Sequence, residues 1–193
     1  STLVEQKADY NLRLGLLSLA SLTSGVNNTA LGPSALNALT TNTNNTAIGY
    51  RSMLSSNAFA NTAVGSDSLK VTNGNYNVAL GYQAMMNAAC GSCIGIGKAA
   101  LNSSTADGNI ALGFNAAYAN TTGTPLIAIG NNALATNTTG PDNIAIGQSS
   151  LMNNTTGAGS LAIGVGALGN ATIGNNNIAL GNSALGLGDP PGP

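Results

Sequence analysis

A tetrapeptide ending in glycine recurs along almost the whole chain, and its spacing governs what the chain can become. The glycines are Gly15, Gly32, Gly49, Gly65, Gly81, Gly97, Gly113, Gly130, Gly147, Gly164 and Gly181, eleven copies separated by 16 or 17 residues. Helix-pair repeats need about 33 residues or more, so this period is too short for them. It is the length of one coil of a β-solenoid. The expected fold is therefore all-β: a β-solenoid, or β-roll, of about eleven coils. Coils stacked at the ~4.8 Å separation of paired strands make a rod of roughly 50 Å.

Each position of the repeat has its own chemistry. The residue just before Gly is aliphatic in all eleven copies, from Leu14 to Leu180. Two before Gly stands Ala in nine copies, with Arg13 and Gly95 as the exceptions. Three before, the residue is Thr, Val, Ile or Leu; four before, it is Asn in eight copies. Three after Gly comes Ser or Ala, and four after comes Leu or Met in ten copies, with Ala117 the exception. The rest of each period is rich in Asn, Thr, Ser and Gly, which is turn chemistry.

The alternation of large and small residues before Gly has the period of a strand. Its expected orientation puts the aliphatics in a narrow core and Ala and Gly on an outer face smooth enough to pack against another chain. On that orientation Ile146→Asp buries an unpaired charge and unfolds the protein. The Leu or Met after Gly is expected to add an inward side chain from a second short strand. The Asn column is expected to form an amide ladder between coils. A competing reading makes the leucine-rich stretch 3–22 an amphipathic helix, although Gly15 sits in its middle.

Composition narrows the function classes. Five basic and six acidic residues give a net charge of −1 over 193 residues, and there is no His. A typical domain is about one-quarter charged; this one is 6%. The commonest general acid/base and metal ligand is missing. Asp67, Asp107 and Asp142 fall in different columns of the repeat and do not converge by spacing, so no enzyme and no cofactor is expected. Five basic residues cannot neutralise a phosphate backbone, which argues against nucleic acid. No run approaches the ~20 apolar residues of a membrane span. An ice-binding array would need a regular Thr column, but Thr stands three before Gly only at Thr29, Thr46 and Thr62.

The segments Asn45-Thr46-Ala47-Ile48-Gly49, Asn143-Ile144-Ala145-Ile146-Gly147 and Val78-Ala79-Leu80-Gly81-Tyr82-Gln83-Ala84-Met85 resemble the head repeats of trimeric autotransporter adhesins. They are still more similar to the arrays of phage-type tail-fibre proteins. The resemblance covers residues 11–186. It implies a trimeric left-handed β-roll, an extracellular, cell-surface or virion location, and a role in adhesion or as a fibre shaft. The period here is longer than in adhesin heads, so the shape of the coil is not implied.

Several residues invite chemical readings. Cys90 and Cys93, in Cys-Gly-Ser-Cys, are either a local disulfide or two free thiols; zinc would need two further ligands. Tyr50, Tyr82 and Phe114 each follow a repeat Gly on alternate coils, about 10 Å apart. They form either a sugar- or receptor-binding stripe or a packing surface for a neighbouring chain or turn. Sequons start at Asn27, Asn44, Asn102, Asn120, Asn137, Asn153, Asn154 and Asn170. These are glycan acceptors in a secreted eukaryotic product, or chance in an Asn/Thr-rich chain.

Three regions follow: an N-terminal segment, 1–10, as a candidate assembly arm; the repeat domain, 11–188; and a Pro-rich tail, 189–193. The tail's prolines cannot donate to a ladder, so it serves as a cap, a linker or a docking segment. The expected function is a non-enzymatic extracellular fibre or adhesive module. It would associate with itself as a homotrimer and meet a cell-surface carbohydrate or protein receptor. The alternative is a filament subunit that polymerises through its terminal segments.

Overall fold

The computed structural model describes residues 5–6, 10–172 and 174–186. Its strands are β1 (Glu5–Gln6), β2 (Leu12–Leu14), β3 (Thr29–Leu31), β4 (Thr46–Ile48), β5 (Thr62–Val64), β6 (Val78–Leu80), β7 (Ile94–Ile96), β8 (Ile110–Leu112), β9 (Leu126–Ile129), β10 (Asn143–Ile146), β11 (Leu161–Ile163) and β12 (Ile178–Leu180). They form one sheet in chain order. From β2 to β12 every pair is parallel, and equivalent repeat positions lie side by side: Ala47 beside Ala63, Ile48 beside Val64. There is no helix among the described residues. The chain is a β-solenoid with the period read from its glycines. Residues 10–22 make β2 and the turns after it, so this part of the leucine-rich stretch belongs to the first coil. The tail 189–193 lies outside the described residues. At the N-terminal side, β1 pairs antiparallel with β2, Glu5 opposite Arg13 and Gln6 opposite Leu12.

The repeat Gly is required by the corner that ends each strand. At Gly49 φ is +129°, and a Cβ there would lie 2.6 Å from the Gly65 carbonyl oxygen in the next coil. Backbone stacks on backbone, and no side chain fits between. After this corner the expected second strand does not form. The chain runs instead through tight turns in which Leu and Met themselves take left-handed conformations, as at Met53 (φ +51°) and Leu69 (φ +45°). Such residues are strained by roughly 1–2 kcal/mol each. Hydrogen bonds between coils hold them: the Met53 N–H donates to Ser68 O at 3.0 Å, and the Leu69 N–H to Ala84 O at 2.9 Å.

The two faces of the strand are the reverse of the expectation. The Ala column is the buried one: Ala30, Ala47, Ala63, Ala79, Ala111, Ala128, Ala145 and Ala162 are fully enclosed. The aliphatics on either side of it point outward and are half-buried or exposed, with Ile129 at 36% and Ile163 at 39%. The reason is volume. From the turn side, Leu36, Met53, Leu69, Met85, Leu101, Leu134 and Leu151 enter the lumen and are almost completely buried. In most coils one such side chain fills it, and the Ala position of the strand opposite can add only a methyl. Gly95 shows the limit, since a Cβ there would sit 2.5 Å from Cγ of Met85.

The inward column gives a direct test. Ala145→Leu overpacks the lumen and should lower stability by about 1–3 kcal/mol or more. The thermal unfolding midpoint measures this, and an unchanged midpoint would contradict the inward position.

Candidate interaction surface

With the Ala column inside, the sheet's outer face carries two parallel rows of side chains. One row runs from Leu14 through Ile48, Ile96 and Ile146 to Leu180; the other runs from Leu12 through Thr46, Ile94 and Ile144 to Ile178. Nineteen of these positions are aliphatic, and none of the residues in β3 to β12 is charged. In-register pairing makes the rows continuous from coil to coil. A shallow depression of about 210 Å³ between β9 and β10, lined by Pro125, Leu126, Ile127, Asp142, Asn143 and Ile144, belongs to this face. It is smaller than the ~300 Å³ at which small-molecule sites begin.

At the edge of the face runs the column that follows each repeat Gly. Tyr50, Tyr82 and Phe114 stand in it, 50%, 48% and 41% exposed. Lys98 occupies the same column between the last two, its Nζ 6.0 Å from the Tyr82 ring centre and 5.5 Å from that of Phe114. The Arg51 guanidinium lies 4.8 Å over Tyr50. Its Nε donates to Asp67 Oδ1 at 2.9 Å and its terminal nitrogen to Oδ2 at 3.1 Å, while Lys70 Nζ approaches Oδ1 at 3.5 Å. Burial pushes the Asp67 carboxyl up. The Arg51 hydrogen bond and the charges of Lys70 and Arg51 outweigh it, and the pKa falls below the ordinary value. Asp107 and Asp142 lie elsewhere: Asp107 Oδ1 accepts from the Gly91 N–H at 2.7 Å, and Asp142 is exposed in a turn. Among the described residues no three His, Cys, Asp or Glu side chains come together.

The Asn column lies inside and does two jobs. Each side-chain oxygen accepts from the backbone N–H one coil on: Asn45 N–H to Asn28 Oδ1 at 3.0 Å, Asn61 to Asn45 at 3.0 Å, Asn77 to Asn61 at 2.8 Å. Each side-chain NH2 donates to a carbonyl in the returning turn, as Asn77 Nδ2 does to Cys90 O at 2.8 Å. Cys93 takes the Asn position in its coil, is buried, and is bonded to Cys90 in the structure.

A second inner ladder escaped the sequence reading. Asn154 Nδ2 donates to Asn137 Oδ1 at 2.8 Å, and Asn137 Nδ2 to Asn120 Oδ1 at 2.9 Å. Asn154 Oδ1 meets no donor among the described residues, because Ala171 follows it in the column. The only signal in the sequence was three Asn at the seventh position after Gly. This ladder also corrects the sequon list. Asn120, Asn137 and Asn154 are buried, as is Asn102, whose Nδ2 donates to Gln83 O, so the folded coil has no room for a glycan on these four. Asn27, Asn44 and Asn170 are exposed and Asn153 is half-buried.

No protein-family model, curated protein or solved structure matches the chain. The outer face and its edge therefore carry the functional argument on their own chemistry.

Two outcomes are expected here. Asn61→Ala leaves the buried Asn77 N–H without its acceptor and should cost about 1–3 kcal/mol in chemical denaturation. Asp67→Asn tests the ion pair. Since its folded pKa is depressed, Asp67 stabilises above the ordinary aspartate range, and that contribution is lost as the pH falls through the folded pKa. Wild type should unfold at a higher temperature than the variant at pH 7, and the two midpoints should converge once the pH has fallen below the depressed folded pKa.

Proposed function

We propose that the chain is a structural and adhesive module of an extracellular fibre, built by lateral association of identical copies through the outer aliphatic face. The observation that carries this is the pair of uncharged rows along β2 to β12. A typical monomer exposes at most a few hundred Å² of contiguous apolar surface. The rows run the length of the stacked strands, and each partner of a standard interface buries roughly 800 Å². Covering it calls for a partner as long, straight and regularly spaced as the solenoid, and a second copy of the chain has that shape. The resemblance to trimeric heads and tail fibres favours three chains about one axis. This moves the expected contact from the Ala column to the aliphatic rows.

Growth end to end is the less favoured reading. A parallel copy would have to pair with the free edge of β2, and β1 already occupies that edge in antiparallel fashion.

Light scattering on the purified chain should give three times its 18.9 kDa mass. The double substitution Ile129→Asp and Ile146→Asp should yield monomers that keep the circular dichroism of a β-solenoid. A wild-type chain that stays monomeric at high micromolar concentration would refute the reading.

A further inference from the structure

The edge column beside the apolar face brings basic and aromatic side chains together. Of the five basic residues, Arg51, Lys70 and Lys98 lie within coils three to six, and the ion pairs there are those of Asp67. Asp67 is already shared between Arg51 and Lys70, which leaves the region cationic. The three aromatic rings stand among these cations. Their exposure is not a by-product of a crowded core, since Ser66, Asn131 and Gln148 occupy the same column. Nor does the column suit an interface between chains. Packing it against another chain would desolvate Lys98 and Arg51, which costs several kcal/mol per ion unless each is paired.

The geometry selects a ligand class. Parallel pairing in register places the rings two coils apart on a line, about 10 Å from one to the next. Lys98 lies between the last two rings, within 6.0 Å of one and 5.5 Å of the other. A straight polymer whose repeat is also about 10 Å can meet every ring in the same way, and an extended disaccharide unit, two pyranoses of about 5 Å each, has that length. Pyranoses present an apolar C–H face that stacks on an aromatic ring, and the cations between the rings call for carboxylate or sulfate groups. Nucleic acid is a poorer match, because three cations neutralise few phosphates.

We propose that the ridge formed by Tyr50, Arg51, Tyr82, Lys98 and Phe114 binds an extended acidic polysaccharide, one disaccharide to every two coils. The sugars stack on the rings, and their acidic groups pair with Arg51 and Lys98. The proposal deepens the adhesive reading and rests on it for one point, that the ridge faces solvent in the assembly.

The test is isothermal titration of the full chain with octasaccharides of hyaluronan, polygalacturonate and alginate, with cello-octaose as the neutral control. At least one acidic octasaccharide should bind saturably, at least tenfold more tightly than cello-octaose and more weakly as salt rises. Tyr82→Ala and Lys98→Gln should each weaken it at least fivefold with the circular dichroism unchanged, whereas Gln148→Ala should leave it as in wild type. Absence of binding to all three acids, or binding indifferent to Tyr82→Ala and Lys98→Gln, overturns the site. So does loss of the trimer in Tyr82→Ala, which would make the ring a contact between chains. Light scattering on the same samples keeps the two readings apart: a trimer that binds nothing removes the site alone, and a monomer that binds removes the assembly alone.

Discussion

Hydrogen bonds in this molecule run from coil to coil. In the strands, at the glycine corner and through the turns, backbone partners in neighbouring coils lie 15 to 18 positions apart, as in Gly49 N–H to Leu31 O at 2.7 Å and Gly65 N–H to Ile48 O at 2.8 Å. Each coil must therefore present to the next the same backbone at the same height. A position that needs a special conformation in one coil needs it in all, which is why glycine recurs at the corner, with φ between +120° and +135° in every copy. The same condition lets Leu and Met persist in left-handed turns. The strain at each is local, while the stacking that enforces it is shared by the whole array.

Stacking fixes the coil's outline, and the outline fixes which residues face inward. In most coils the lumen holds one large side chain from the turn and the methyl group opposite it. The turn supplies the large one, so the strand must supply Ala. Larger aliphatics on the strand have only the outside left to them. The apolar surface that argues for self-association is thus a direct result of a lumen too thin to hold it. The inner asparagines follow from the same confinement. A thin core leaves backbone amides near the axis that no neighbouring strand reaches, and the Asn oxygens and NH2 groups satisfy them coil after coil.

The period, the strand positions and the corner glycines were legible in the sequence because a repeat prints the same demand many times. The orientation of the strand is the reverse of the expected one. Alternation shows that Ile144 and Ile146 share a face and that Ala145 opposes them, but it is silent on which face is inside. The deciding signal was uniformity. The buried column is Ala almost without exception, whereas the outer one passes from Thr46 to Val78 to Ile94 to Leu161, a range of shapes that a close-packed lumen would not accept. The turn conformation was hidden for another reason: Leu69 and Met85 sit at positive φ, where composition leads one to expect Gly or Asn. The ladder of Asn120, Asn137 and Asn154 could not be told from a background already rich in Asn.

Where the array departs from its own rule, the departures are paired with local needs. Gly95 replaces Ala where a Cβ would run into the Met85 side chain. Cys93 replaces Asn, and its sulfur takes up a new partner in Cys90. Leu126 replaces Asn in β9 and is buried, and its N–H still donates to Asn109 Oδ1 at 3.0 Å. These exceptions keep the backbone ladder whole and change only what fills the space beside it. The aromatic and basic side chains of the edge column differ in kind. No neighbour inside the coil requires Tyr82 or Lys98, since Gln148 meets the same backbone in its own coil. Side chains that vary where the fold is indifferent, and vary towards one chemistry over adjacent coils, are the part of the molecule that its surroundings, rather than its folding, have reason to shape.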